Sequence, residues 1–243
     1  MEKKLNGIVL KSVSYGENDA ILNIFTLEEG IISAKIKGVK KASAKLKFAT
    51  QPFCFAEFII AEKGDKKSVI NASLHDGFYS LRENVFSFYA GSTILEFALK
   101  FLSQSVENEE MFLLVSKSLN ELTYGSENTE KTLIKFLLKA LSLSGYGLYF
   151  DRCVKCGCEI EGRVFFSVQT GAFACEECLE EGFEIYFDTY IALKELNEDS
   201  KKDFAKETLI NSLKLISYYL RQRAEVEVKS LKEFIELEFF NKN

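Results

Sequence analysis

Histidine and proline are nearly missing from this chain of 243 residues, which has one of each, His75 and Pro52. A single histidine excludes the H-E-x-x-H helix of zinc proteases. Asp76 and Gly77 follow it, which excludes the H-x-E element of zinc deaminases as well. Neither G-x4-G-K-[ST] nor a G-x-G-x-x-G motif after a strand occurs, so the common nucleotide-binding enzymes are also excluded. We therefore expect a protein that is not an enzyme.

Long apolar runs are absent too, since none approaches the eighteen residues that indicate a membrane-spanning helix. The amino terminus shows no secretory signal. The sequence thus predicts a cytoplasmic protein without a membrane partner. Its 22 Phe and 10 Tyr, within a hydrophobic content of 47%, still provide for a real core, and the length allows one large or two ordinary domains.

Cysteine is present and concentrated, with five of the six cysteines between residues 153 and 178. Two C-x2-C pairs, separated by eighteen residues, have the spacing that places four thiolates around one tetrahedral Zn²⁺. Gly157 permits the positive φ that the first turn requires. The sequence predicts one structural zinc ion held by Cys153, Cys156, Cys175 and Cys178. Cys158 is then a nearby free thiol, because x2 spacing favours Cys156 as the ligand.

A disulfide framework is the alternative explanation of these cysteines. The odd number in the cluster and the lack of a secretory signal both disfavour it. Four thiolates would also fill the coordination shell of the metal, whereas a catalytic zinc keeps one position open. We therefore expect a structural role for the metal.

Charge is distributed unevenly along the chain, whose formal net charge is −5. Residues 1–75 contain twelve Lys and eight acidic residues, a net charge of +4, and the remainder has a net charge of −9. Thirteen residues without an acid contain six lysines: Lys35, Lys37, Lys40, Lys41, Lys45 and Lys47. Such spacing suits a nucleic-acid backbone, although a solvated surface loop gives the same pattern. Gly38 and the small residues at 42–44 favour a flexible loop.

The first part of the chain reads as β-structure. Short runs rich in β-branched residues, separated by turn signals, predict strands at 5–13, 20–26, 31–37, 53–62 and 68–72. Five short strands suit a small closed barrel of the OB type, which commonly binds single-stranded nucleic acid. An SH3-like barrel would give nearly the same pattern. Tyr15, beside a glycine in the first turn, could stack on bases or pack over the end of the barrel.

From residue 78 the apolar period changes to three and four residues, which indicates helices. The predicted helices are 78–104, continuous or broken near Gly91, then 111–122, 130–144, 189–196, 204–223 and 230–239. A hairpin strand at 163–168 separates the two cysteine pairs. The predicted fold class is multi-domain α+β. A barrel domain at 1–76 is followed by an α-helical domain at 77–243, which carries the zinc-binding segment 150–180.

Short motifs in a fixed order along nearly the whole chain resemble the RecO family of bacterial recombination mediators and DNA-annealing proteins. The first half carries Gly7-Ile8-Val9-Leu10, Tyr15-Gly16-Glu17-Asn18-Asp19, Phe25-Thr26 with Gly30, Lys37-Gly38-Val39-Lys40-Lys41 and Gln51-Pro52-Phe53. The second half carries Gly145-Tyr146, Leu148, Cys153-x2-Cys156-Gly157, Gly171, Cys175-x2-Cys178 and Lys229-Ser230. Each motif is weak alone, but their order and spacing together are specific.

The resemblance implies an OB-fold domain followed by a helical domain with a zinc-binding insertion, and an activity without enzymatic turnover. It implies binding of single- and double-stranded DNA, annealing of complementary strands, and a place at the nucleoid. It also implies work with RecR and the single-strand-binding protein SSB in helping RecA to load. RecA is therefore an indirect partner.

The acidic second domain is expected to dock proteins, because its net charge repels phosphate at long range. Arg221 and Arg223, near the end of the helix predicted at 204–223, are candidates for binding the acidic tail of SSB. Cations at that position more often complement the helix dipole. The alternative function is a zinc-stabilised protein-interaction scaffold without direct DNA binding.

Overall fold

The computed structural model of the chain describes residues 2–178 and 182–240. The chain divides into two compact units, the first ending at Gly125 and the second beginning at Ser126. The last two residues of the predicted zinc-binding segment, Leu179 and Glu180, lie outside the described residues.

Five strands close into a barrel in the order β1-β2-β3-β5-β4. They are β1 (Glu2–Tyr15), β2 (Asp19–Thr26), β3 (Gly30–Ile36), β4 (Phe55–Lys63) and β5 (Lys66–Asp76). The pairing of β3 with β5 is parallel, and the other neighbours are antiparallel. The predicted barrel of OB type is confirmed. Strands β1 and β5 are longer than the runs at 5–13 and 68–72.

The barrel interior is filled by one side of each strand, as the two-residue period of a strand requires. The main core side chains are Leu5, Val9, Leu22, Ile24, Ile32, Ala34, Ile36, Phe58 and Ile60. Strand β1 contains a bulge, since Val9 is paired with Ile24 but Lys11 is paired with Asn23. The extra residue reverses the alternation. Lys11 therefore lies on the outer surface of the barrel, although Val9 lies in the core.

Two helices complete the first unit, α1 (Val85–Phe101) and α2 (Glu109–Tyr124). Phe112 of α2 packs against Phe25 and Phe55 of the barrel, with ring centroids 5.4 and 6.1 Å apart. Residues 1–76 are thus the barrel of a larger compact unit. That they form an independent domain, with the rest of the chain as a second one, stays a prediction.

Helix α1 is continuous through Gly91. The glycine lies where the helix approaches the barrel end, because a Cβ at this position would be 3.0 Å from Cε1 of Phe53. The helix begins after Asn84, whose side chain accepts hydrogen bonds from the backbone N–H groups of Phe86 and Ser87. Gly91 therefore serves close packing and not a helix break.

The second unit contains four helices and a small sheet among its described residues. The helices are α3 (Thr129–Leu143), α4 (Phe187–Asn197), α5 (Lys206–Arg223) and α6 (Lys229–Phe240). The sheet has the order β7-β6-β8, with β6 (Val164–Ser167), β7 (Ala172–Cys175) and β8 (Phe183–Ile185). Helix α5 contacts α3, α4 and α6. The predicted helical region with a cysteine-bearing insertion is confirmed, and β7 and β8 are additions to the predicted hairpin strand.

Among residues 2–178 and 182–240, no helix combines the length and apolarity needed to cross a membrane.

Candidate metal centre and nucleic-acid interface

The two C-x2-C pairs meet at one place in the second unit. The four Sγ atoms lie within 4.8 Å of one another and belong to Cys153, Cys156, Cys175 and Cys178. A hydrogen bond of 2.9 Å from the backbone N–H of Gly157 to the carbonyl of Cys153 closes the first turn. Gly157 adopts the left-handed conformation there, with a φ of 73°. Four thiols at these distances are a donor set that could hold a metal ion.

The backbone of the site favours thiolate at two of these positions. Burial raises the pKa of Cys153, but backbone N–H groups from both pairs outweigh that effect and lower it to about 6. The backbone N–H and then the thiol of Cys158 lower the pKa of Cys156. Because the thiolate is the form that binds metals, these two positions are prepared for a metal ion.

Cys158 lies beside the group of four. Its Sγ is 3.2 Å from that of Cys156, and this contact raises the pKa of Cys158 to about 12. Contact with Cys156 also raises the pKa of Cys178 to about 12, so Cys178 would release a proton on binding a metal.

Aromatic packing attaches the sheet of the metal centre to the helices. Phe166 of β6 lies 5.7 Å from the ring of Tyr219 in α5, and Phe173 of β7 lies 5.1 Å from the ring of Tyr190 in α4. The buried hydroxyl of Tyr190 donates a hydrogen bond of 3.0 Å to the carbonyl of Phe150, just before the first cysteine pair. The cysteines are thus positioned from two helices of the second unit.

The lysine-rich segment connects β3 to β4 and folds as successive turns. Hydrogen bonds of 3.3 Å from Lys41 N–H to the Gly38 carbonyl and 3.0 Å from Ala44 N–H to the Lys41 carbonyl close two of them. Val39 is buried in the barrel core, and Leu46 packs against that core. The segment is therefore anchored at Val39 and Leu46, and the flexibility expected from the small residues at 42–44 stays a prediction.

Five of the six predicted lysines have exposed side chains: Lys37, Lys40, Lys41, Lys45 and Lys47. Lys40 reaches the β1–β2 turn, where its ammonium donates a hydrogen bond of 3.3 Å to the Gly16 carbonyl. In the described part of the chain, Lys41, Lys45 and Lys47 form no ion pair with an acidic residue. These three lysines thus present positive charge that no ion pair neutralises among the described residues.

Lys35 and Tyr15 lie together at the base of this segment. The Lys35 ammonium is 4.5 Å from the centroid of the Tyr15 ring and 2.8 Å from the Asp19 carboxylate. That ion pair, followed by a hydrogen bond from Gly38 N–H, lowers the pKa of Asp19. Tyr15 remains 51% exposed, so its ring is available for stacking. Lys35 therefore has both an ion-pair partner and an aromatic partner on the barrel.

Three further residues share the outer surface with Tyr15 and Lys35. Val13 is paired with Ile21, and Ile21 with Lys35, which forms one row across β1, β2 and β3. Lys11 lies on the same side of β1 and is exposed. Sequence reasoning missed Lys11 and Val13, because the bulge in β1 turns them outward, and it also missed Ile21, which is the partner of Val13 on β2.

Arg221 and Arg223 lie in the last turn of α5, as predicted. The Arg221 guanidinium is 5.8 Å from the ring centroid of Tyr218. Tyr218 borders a groove of about 740 Å³ between β8, α4 and α5. The groove is mostly apolar, and its lining includes Phe183, Ile185, Tyr186, Thr189 and Leu215. Arg221 thus stands beside a groove that sequence reasoning did not detect, whereas the Arg223 guanidinium lies 6.0 Å from the ring centroid of Tyr146.

The chain matches two family descriptions in the order of its two halves. "Recombination protein O N terminal" matches residues 1–78, and "Recombination protein O C terminal" matches residues 82–232. The chain is 32% identical over 238 residues to a protein named DNA repair protein RecO from Caldicellulosiruptor saccharolyticus, with 95% of this chain and 97% of the relative covered. It is 30% identical over 237 residues to the protein of the same name from Clostridium novyi, with 95% and 93% covered. The chain therefore belongs to the RecO family of DNA repair proteins.

Proposed function

We propose that this DNA repair protein binds single- and double-stranded DNA through the outer surface of its barrel and anneals complementary strands. In this role it works with RecR and SSB to help RecA load, as a cytoplasmic, nucleoid-associated protein without enzymatic turnover. The observation that carries the proposal is the surface of exposed lysines beside an exposed aromatic ring. Cations that follow a backbone and rings that stack on bases are the two means by which OB barrels hold single strands.

Binding of DNA by a lysine-rich surface weakens measurably as the salt concentration rises. If about four lysines each neutralise a phosphate of single-stranded DNA, log K falls with log[salt] at a slope of roughly −3. A fourfold rise in salt then weakens binding by about fifty-fold. Lys40 and Lys41 are adjacent and exposed, so both should contribute to this slope.

We expect the double variant Lys40→Ala, Lys41→Ala to flatten the slope for single-stranded DNA by about one to two units. Fluorescence anisotropy of a labelled oligonucleotide at several salt concentrations measures it. Lys139→Ala, Lys201→Ala is the matched control, because it removes the same charge from exposed positions of the second unit. An unchanged slope in the first variant, or equal flattening in the control, would refute DNA binding by this surface and leave the interaction scaffold as the better account.

We also infer that the metal is one structural zinc ion. A tetrahedron with Zn–S bonds of about 2.3 Å has sulfur–sulfur edges of about 3.8 Å, which agrees with the 3.7 Å between Cys156 and Cys175. Bound zinc would supply a cross-link between the turn before β6 and the end of β7. An all-thiolate set favours zinc over the oxygen-seeking cations.

The second unit is proposed to dock protein partners. The groove beside Tyr218 offers an apolar surface, Arg221 supplies positive charge next to it, and Arg223 adds a second cation in the same helical turn. This combination suits the acidic tail of SSB. Reversing both charges, Arg221→Glu with Arg223→Glu, should weaken binding of a tail peptide to the full chain by about tenfold, since each exposed charge pair contributes up to about 1 kcal/mol. Equal binding by the variant and wild type would place the docking site elsewhere.

A further inference from the structure

Five thiols surround a metal centre that requires four. The fifth, Cys158, is exposed, and so is its neighbour Cys156, whereas Cys153 and Cys175 are 2% and 8% exposed. The Sγ atoms of Cys156 and Cys158 are 3.2 Å apart. The cluster thus has a pair of touching sulfurs on its solvent side, and one of them is a proposed metal ligand.

The backbone holds these two sulfurs on the same turn. The N–H of Cys153 donates a hydrogen bond of 2.9 Å to the Cys158 carbonyl, and the N–H of Gly157 donates one of 2.9 Å to the Cys153 carbonyl. Gly157, between the pair, has a φ of 73° and no Cβ, which lets the turn adjust. A disulfide needs the two sulfurs at about 2.05 Å, whereas they lie 3.2 Å apart here, so bond formation requires side-chain rotation and a local adjustment of the turn.

We infer that Cys156 and Cys158 form a peroxide-sensitive pair whose oxidation to a disulfide removes one ligand from the metal. The inference rests on the proposed four-thiolate centre, in which Cys156 is a ligand and Cys158 is not. The two thiols are the solvent-exposed members of the cluster, and oxidation of cysteine favours exposed sulfurs.

The oxidation proceeds in two balanced steps. The Cys156 thiolate attacks one oxygen of hydrogen peroxide, the O–O bond breaks, and hydroxide leaves, which gives Cys156 sulfenic acid. The Cys158 thiol then attacks the sulfenic sulfur, the S–O bond breaks, and water leaves with the thiol proton. The two sulfurs together lose two electrons, and the peroxide gains them.

Loss of Cys156 as a ligand breaks the cross-link between the two cysteine turns. Cys153, Cys175 and Cys178 would remain, and three thiolates hold a metal more weakly than four. The metal centre of this chain is thereby made responsive to peroxide, and reduction of the disulfide restores the fourth ligand.

The test treats metal-loaded full-length protein with an equivalent of hydrogen peroxide. A chromophoric chelator reports metal release, and peptide mass mapping locates disulfides. We expect wild type to release about one metal per chain with a disulfide joining Cys156 to Cys158. Cys158→Ser should load metal normally and release it at least about tenfold more slowly, because its sulfenic acid has no thiol partner. The matched control Cys54→Ser removes a cysteine that is 1% exposed and should behave as wild type.

Several results would overturn the inference. These are equal release rates for Cys158→Ser and wild type, a disulfide that joins other cysteines, or a Cys158→Ser protein that is purified without metal. Wild type purified without metal would instead refute the proposed metal centre. The disulfide map of that protein would still decide whether Cys156 and Cys158 are the oxidised pair.

Discussion

Tyr15→Ala removes an exposed aromatic ring that stands beside the lysine surface on the outside of the barrel. The ring is 51% exposed and lies 4.5 Å below the Lys35 ammonium. Stacking of a base on such a ring contributes about 1–3 kcal/mol, which corresponds to about 5- to 150-fold in affinity. We therefore expect the affinity of the variant for single-stranded DNA to fall below that of wild type by a factor in that range.

The same change should cost little stability. The side chain is half in solvent, and the cation–π contact that it loses is worth about 0.5–1 kcal/mol at an exposed site. The predicted loss of affinity is therefore larger than the predicted loss of stability. Thermal unfolding of the variant provides the check that the barrel remains folded.

Removal of the Tyr15 ring should change the affinity for DNA but not its salt dependence. Because Tyr15 carries no charge, its removal lowers affinity without changing the slope against log[salt], unlike removal of Lys40 and Lys41. Tyr15→Phe keeps the ring and should bind as wild type. Tyr186→Ala removes a ring that is 73% exposed in the second unit and should have no effect. Unchanged affinity of Tyr15→Ala, or equal losses for Tyr15→Ala and Tyr186→Ala, would refute the stacking role.

Two predictions concern stability. Removing the metal, or changing Cys175→Ser, should increase hydrogen exchange in the sheet and its turns but leave α3 and α5 protected, because those helices have their own core; uniform exchange across the second unit would contradict this. Glu29 accepts contacts of 2.6 and 2.5 Å from Lys3 and Lys67, which lower its pKa. Its stabilising effect is therefore present above about pH 4.3 and is lost as the pH falls through its lowered pKa. Glu29→Gln should cost about 0.5–1 kcal/mol at pH 7 in urea unfolding and progressively less below pH 4. Glu57→Gln, whose partner is 3.3 Å away and mostly exposed, should cost almost nothing, and a pH-independent cost for Glu29→Gln would refute the reasoning.

The sequence predicted those features that local spacing determines. The five strands followed from short runs rich in β-branched residues and from turn signals, and the cysteine quartet followed from two C-x2-C pairs that each fit one turn. The outward position of Lys11 and Val13 could not be predicted, because it depends on a single bulge that pairing with β2 reveals. The groove beside Tyr218 was also missed, since its walls come from three elements, β8, α4 and α5, and local spacing does not determine how they pack.

The packing of Phe112 on Phe25 and Phe55 has a consequence for the modularity of the gene. The boundary between the two family descriptions lies between residues 78 and 82, whereas the boundary between the compact units lies after Gly125 in the sequence. A gene fusion or exchange made at the first point would transfer the barrel without α2 and would leave the surface beneath Phe112 uncovered in water. A fusion made after Gly125 would transfer the barrel together with the helices that cover it. The segment that can be exchanged as one piece is therefore longer than the segment that similarity marks out.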